Sequence, residues 1–317
     1  MTKKIKIKAD NGIVAGLVVA LVLIWAGFYL SYPNFFQLQQ KEEEATRQKT
    51  AEQKEISKVI AFGHLDLEAK AYVVYNLETG EILAGRNEEA IRPLASVTKL
   101  MTALVASEQL DPQAVVTIDQ TNGANGLWAG EKWTPANLLA LTLVASSNDG
   151  ATALAKRAGN GQANFVDLMN EQALSLGLTD FHFTNPTGLD DGPALGGQGS
   201  ALSVAKLLAY LVKNKPELLS ATRETLIEET SLDNLNHIVS NTNEVINDLP
   251  GLLASKTGYT DQAGGNLAVV TNIGLNRPVA IVVLGSSQAG RFTDTKTLVQ
   301  ATINYYSNFP SSDPRGK

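Results

Sequence analysis

The 317-residue chain contains no cysteine and only three histidines, His64, His182 and His237. Without cysteine there is no disulfide, no thiolate zinc site and no cysteine nucleophile, although lack of disulfides does not assign a compartment. The histidines offer no HExxH or other paired ligand spacing, and no GxSxG elbow is present to serve a Ser-His-Asp triad. His182, between Phe181 and Phe183, is expected to be packed, and the lone histidines read as structural. No metal and no cofactor is expected. Excess positive charge is missing too: 26 Lys and Arg against 32 Asp and Glu leave a net charge of -6. Nucleic acid needs a basic face, so the totals argue against such a partner. No repeat at solenoid spacing is present.

What is present begins with a long apolar run. Residues 13–30 read IVAGLVVALVLIWAGFYL, with Lys3, Lys4, Lys6 and Lys8 before them and Trp25, Tyr29 and Tyr32 toward their far edge. This pattern predicts a basic cytoplasmic N-terminus over 1–12 and a transmembrane anchor over 13–32, with a cleavable signal peptide as the rival. On that expectation the protein is a single-pass cell-membrane protein, the membrane is a partner, and the rest of the chain is extracytoplasmic. Residues 33–64 follow as a charged stalk or linker, rich in helix formers and interleaved charge. Residues 310–317, PSSDPRGK, read as a disordered tail. No oligomeric state follows from the sequence.

Residues 65–309 carry the mixed pattern of one domain, and a hydrophobic content of 44% is enough to fill its core. Ala71 to Asn87 reads as a hairpin around Glu78-Thr79-Gly80. Helical spacing follows from Ser96 to Glu108, after Thr134-Pro135, from Ser147 to Ala158, from Gln162 to Leu176 and from Leu202 to Val212. Gly159 and Gly177 are the expected stops. Strands return as ASKTGYT, GNLAVVTNI and RPVAIVVLG, and Phe292 to Tyr306 closes with a helix. The order predicts an α+β fold: one antiparallel sheet built from both chain ends, flanked by helices, with a helical lobe inserted between its strands and a cleft where lobes meet.

One short word occurs twice. ASVTKLMTALVAS starts at Ala95 and LSVAKLLAYLV at Leu202, each with a serine three residues before a lysine. That spacing places Lys99 against Ser96 on one helical face, with Ser96 at the helix start, where developing negative charge is favoured. A lysine acts as a base only when neutral, and moving it from about 10.4 toward 7 costs about 4 kcal/mol. The helix end supplies about 0.3–1 kcal/mol, so desolvation and a second cation must do the rest. An SxxK word alone is also expected about once by chance in such a chain. Two further elements bear on it. In SSND, Ser146 and Asn148 bracket an inter-helix loop and can face one cleft; in SKTG, Lys256 supplies a cation, Thr257 a hydroxyl and Gly258 a close backbone approach.

In the order SxxK, SxN, KTG, these motifs resemble the serine penicillin-recognising enzymes. From about Leu65 to Phe309 the chain is most similar to the low-molecular-mass D-alanyl-D-alanine carboxypeptidases. RPLASVTKLMTAL, WTPANLLALTLVASSNDGATALA, FTNPTGLDD, KTGYTDQAGGNLAVV and GSSQAGRF carry the resemblance. It implies a β-lactamase/transpeptidase-like fold and removal of the terminal D-alanine from a peptidoglycan pentapeptide through a Ser96 acyl-enzyme, with β-lactams as covalent inhibitors. It further implies Lys99 as base, Ser146 as proton relay linked to Lys256, and Asn148 as holder of a substrate amide. The N–H groups of Ser96 and Tyr259 would form the oxyanion hole, Thr257 and Arg291 would bind the terminal carboxylate, and the peptide would pair along the Lys256-Thr257-Gly258 strand. Four alternatives stay open: a DD-endopeptidase, a transpeptidase, a class A-like β-lactamase, and a non-catalytic wall-binding protein. The β-lactamase needs a deacylating glutamate, and FHFTNPTGLDDGPALGGQGS has none.

Overall fold

The computed structural model describes residues 11–31, 33–121, 123, 126–274 and 276–308. The chain divides into two compact units, Met1–Ser57 and Lys58–Lys317. Helix α1 (Asn11–Ser31) and helix α2 (Pro33–Phe62) open the chain, and the residues of α2 from Lys58 onward belong to the second unit. The stalk sequence is helical because Gln37 to Lys58 contains neither glycine nor a helix-breaking proline. Its Arg47–Glu43 pair is 4.0 Å apart and exposed, a contact that adds little stability.

The expected membrane anchor does not hold. Among the described residues no helix is long and apolar enough to cross a membrane. With that span go the single-pass placement in the cell membrane, the membrane as partner and the extracytoplasmic assignment that rested on it. The basic flank and the 310–317 tail lie outside the described residues.

The second unit has the predicted α+β architecture. Strands β1 (Ala71–Asn76) and β2 (Ile82–Arg86) come from its start. Its middle holds helices α3 (Lys99–Gln109), α4 (Pro135–Val144), α5 (Asn148–Gly159), α6 (Gln162–Ser175) and α7 (Ala201–Asn214), followed by a hairpin of β3 (Leu226–Thr230) and β4 (Asn236–Ser240). Strands β5 (Leu252–Thr260), β6 (Gly264–Asn272) and β7 (Pro278–Ser286) and helix α8 (Gly290–Asn308) complete it. The sheet order is β5-β6-β7-β1-β2, with every neighbouring pair antiparallel, so the two chain ends do build one sheet.

Alternation along the strands supplies two cores. Val73 pairs with Val282 and Val74 with Ile281. Val73, Val282, Leu284 and Val270 pack with Leu104 and Leu208 of the helical lobe, whereas Val74, Ile281, Val283 and Val269 pack with Leu298 and Tyr305 of α8. Both faces are covered, which explains why β6 and β7 read as nearly continuous apolar runs although their partners are antiparallel. The same alternation overturns the expectation for His182: Phe181 and Phe183 point inward and pack with ring centroids 5.3 Å apart, leaving His182 exposed.

Candidate active site

The turn that carries Ser96 is tighter than the sequence implies. Residues Ala95–Thr98 form a 3-10 turn that leads into α3, so Ser96 stands one turn before the α-helix. Ala95 has φ +48°, a conformation that non-glycine residues seldom adopt. Ser146, on the opposite wall, has φ +56° in the loop between α4 and α5. Such backbone costs about 1–3 kcal/mol and persists only where its surroundings hold it. Here they do. The side chain of Ser147 accepts the Gly150 N–H at 3.1 Å and caps α5, which leaves the Ser146 side chain free to serve the cleft.

Two buried amines define the electrostatics. Lys99 Nζ donates to Ser96 Oγ at 2.8 Å, Asn148 Oδ1 at 2.7 Å and the Thr187 carbonyl at 2.7 Å. Lys256 Nζ donates to Ser146 Oγ at 2.9 Å and the Thr257 carbonyl at 3.0 Å. Lys99 is 0% exposed and Lys256 1%. Burial, with the Lys256 charge adding to it, pulls Lys99 well below the ordinary lysine range. Burial and the Arg291 charge bring Lys256 down to about 7. The second cation that the SxxK spacing calls for is therefore present, and it has a cation of its own behind it.

The strand wall supplies the remaining groups. β5 is the outer strand of the sheet. A Cβ placed on Gly258 would lie 2.8 Å from the Leu94 carbonyl and 3.1 Å from the Ser96 nitrogen, so only glycine lets the strand meet the nucleophile turn this closely. Thr257 Oγ1 is 2.6 Å from Thr242 Oγ1. Arg291, 7% exposed at the start of α8, donates from Nη1 to the Gly258 carbonyl at 2.9 Å; its Nε has no hydrogen-bond partner among the described residues. The buried guanidinium places a positive charge directly behind Gly258 on the strand wall. Beyond the half-exposed Tyr259, a cavity of about 370 Å³ is lined by Leu189, Asp190, Thr260, Asp261 and Gln262.

Ser96, Lys99, Asn148, Ser146, Lys256, Thr257, Gly258 and Arg291 are thus linked by hydrogen bonds or close backbone approach, and Tyr259 follows on the same strand. The second SxxK word is not a pair. Ser203 is buried in the first turn of α7, where its N–H is capped by Ser200 Oγ at 3.0 Å, and Lys206 is exposed. Two contributors were not read from the sequence, the Thr187 carbonyl and Thr242; the FTNPTGLDD loop that presents Thr187 was marked only as part of the resemblance. In that loop Asn185 Oδ1 accepts from the N–H groups of Thr187 and Gly188 at 3.1 and 2.8 Å. An Asn-Pro-Thr-Gly stretch signals such a turn, but nothing in it names the carbonyl's target.

Comparison with known proteins gives the arrangement a family. Residues 51–288 match the family described as D-alanyl-D-alanine carboxypeptidase. Over 227 residues the chain is 33% identical to a D-alanyl-D-alanine carboxypeptidase of Mycobacterium tuberculosis, covering 70% of this chain and 77% of that one. It is 31% identical over 238 residues to a D-alanyl-D-alanine endopeptidase of Pseudomonas aeruginosa, covering 72% and 74% respectively. A penicillin-binding protein of Listeria monocytogenes in its ampicillin-bound form matches the fold with a TM-score of 0.67 at 28% identity, over 75% of this chain and 98% of that one. Sequence, fold and the linked serine and lysines agree, and the chain belongs to the D-alanyl-D-alanine carboxypeptidase family, serine-type peptidases that act on peptidoglycan.

Proposed function

We propose that the protein is a D-alanyl-D-alanine carboxypeptidase that removes the terminal D-alanine of a peptidoglycan pentapeptide through an acyl-enzyme on Ser96. One observation carries the reading: the amine of a fully buried Lys99, pulled well below its usual range, lies 2.8 Å from Ser96 Oγ beside a second buried lysine, so that in its neutral form, with its two N–H groups on Asn148 Oδ1 and the Thr187 carbonyl, its lone pair faces the serine hydroxyl. The neutral amine of Lys99 takes the Ser96 proton as Oγ attacks the scissile carbonyl. Negative charge builds on the carbonyl oxygen, which the N–H groups of Ser96 and Tyr259 receive. Lys256 passes a proton through Ser146 Oγ to the departing amine nitrogen, and D-alanine leaves. Thr257 and Arg291 hold the substrate's terminal carboxylate, Asn148 holds a backbone amide, and water then releases the acyl group. With the carboxylate at Thr257 and the carbonyl at Tyr259, the upstream peptide runs past Thr260 toward the cavity at Asp190 and Asp261.

A fluorescent penicillin is expected to label the wild type covalently and to leave Ser96→Ala unlabelled; an unlabelled, folded wild type would refute the acyl-enzyme. Mass spectrometry of a pentapeptide after incubation is expected to show loss of one alanine. An endopeptidase is the second reading, favoured by the Pseudomonas relative of that name, because cleavage of a cross-link uses the same residues and the same acceptor, water, with a bulkier amine as leaving group. Cleavage of a cross-linked muropeptide with the pentapeptide left intact would decide for it.

A further inference from the structure

Two threonine hydroxyls stand 2.6 Å apart at the carboxylate end of the cleft, Thr242 Oγ1 and Thr257 Oγ1, and either can be the donor. A carboxylate only accepts hydrogen bonds. When it occupies the site, Thr257 must give it a proton, and the bond between the threonines must then run from Thr242 to Thr257. Thr242 has little to lose by turning: its only other hydroxyl acceptor among the described residues, the Val144 carbonyl, is 3.5 Å away, at the limit of hydrogen bonding.

The residue is also held where the two walls meet. Its N–H donates to the Val144 carbonyl at 3.2 Å, two residues before Ser146. Its neighbour Asn241 is tied down by Nδ2, which donates to the Thr222 and Glu224 carbonyls at 3.0 Å each. Thr222 in turn accepts the Ser255 N–H at 3.1 Å, one residue before Lys256 on β5. The loop therefore joins the serine-asparagine wall to the lysine-threonine-glycine wall with Thr242 at the junction.

We propose that Thr242 is a positioning residue for carboxylate recognition, orienting the Thr257 hydroxyl so that it donates to the substrate's terminal carboxylate. The inference rests on the acyl-enzyme reading above. A ligand whose carboxylate is masked as an ester gains less from that orientation, because its neutral carbonyl is a weaker acceptor than an ionised carboxylate.

Intact-mass acylation rates of the full chain by benzylpenicillin and by its methyl ester test this. Thr242→Val is expected to slow the acid about five-fold, the worth of one neutral hydrogen bond, while the ester rate changes less than about two-fold. Thr242→Ser is expected to keep both wild-type rates, and for a peptide substrate Thr242→Val is expected to raise KM with little change in kcat. Equal slowing of acid and ester, no slowing of either, or failure of Thr242→Ser to preserve the acid rate overturns the inference while leaving the acyl-enzyme intact. A wild type that benzylpenicillin does not acylate overturns the underlying reading and this inference with it.

Discussion

Lys99 can accept the Ser96 proton only when its amine is neutral, and burial beside Lys256 keeps it so by holding it well below the usual lysine range. Lys256 plays the opposite part, because it feeds Ser146 and attracts the substrate carboxylate only with its proton on, and it sits at about 7. The signs then set a bell-shaped profile. Peptide turnover expressed as kcat/KM is expected to rise on the acid side as Lys99 loses its proton and to fall on the basic side around pH 7 as Lys256 loses its own. A bound carboxylate raises the Lys256 value, so the basic limb of kcat is expected to lie above that of kcat/KM. Activity that still climbs two units past neutrality would rule out a protonated Lys256.

The same burial costs stability. Unfolded, Lys256 titrates at about 10.4; folded, it titrates at about 7. Between these values the unfolded chain binds the extra proton, so stability rises with pH across that window. Urea unfolding of the wild type and Lys256→Met at pH 7 and 9.5 is expected to show a difference that shrinks by about 3 kcal/mol at the higher pH. At pH 7 the methionine variant is expected to be the more stable and to be inactive. At this scale the sequence was informative about residue types: the need for a second cation beside Lys99 follows from energy, and the order of the SxxK, SxN and KTG words points to Lys256 as its source. The charge of Arg291 behind Lys256, and the Thr187 carbonyl on Lys99, were hidden because spatial proximity of residues separated along the chain, by 88 positions for Lys99 and Thr187, and a backbone acceptor leave no mark on composition.

At the scale of elements, the turn at Asn185 works like a finger that presses a carbonyl onto Lys99. Gly188 allows it: the residue has φ +78°, and a Cβ there would fall 1.8 Å from the Ala95 carbonyl and 2.8 Å from Thr98 Oγ1. The obstruction is backbone of the nucleophile turn, which a rotamer change cannot clear. Gly188→Ala is expected to displace the turn, remove the Thr187 acceptor from Lys99 and slow penicillin acylation by at least about ten-fold, in keeping with the cost of misplacing catalytic groups by about 1 Å. Circular dichroism is expected to be unchanged, and wild-type acylation by the variant would contradict the account. Helices, the β1–β2 hairpin and the three late strands were legible because caps, glycines and periodicity mark them. The β3–β4 hairpin was not: LIEET and NHIVS are short and rich in charge or amide, and the pair is held instead by tertiary contact. His237 on β4 is 2.5 Å from the buried Glu131 and packs on Trp133 with ring centroids 5.1 Å apart. A lone histidine does not reveal its partner in the sequence.

For the whole molecule, the sheet's two-ended origin was readable from strands at both ends of the domain, but the point where the domain begins was not. The charged segment before residue 65 looks uniformly solvated in the sequence, yet its last residues are part of the larger unit. Lys58 Nζ meets Glu81 Oε1 at 2.9 Å and donates to the Ile82 carbonyl at 3.3 Å, on the edge strand of the sheet. Phe62 is 9% exposed and packs on Tyr305 of α8 with ring centroids 6.0 Å apart. Amphipathic helix ends blur this boundary, because one buried phenylalanine and one paired lysine alter the composition of a thirty-residue charged helix very little. Burial of the phenylalanine contributes about 2 kcal/mol and the partly buried ion pair less than about 1. A chain that starts at residue 58 is expected to be labelled by penicillin like the full chain, since every site residue and both cores lie within the larger unit. One that starts at residue 65 loses both contacts and is expected to melt about 4–8 °C lower, with acylation at 25 °C preserved because the site is built on β5, α3 and the α4–α5 loop. Equal melting temperatures for the two would show that the domain ends where the charge does; loss of acylation on removing residues 58–64 would show that this segment also shapes the cleft.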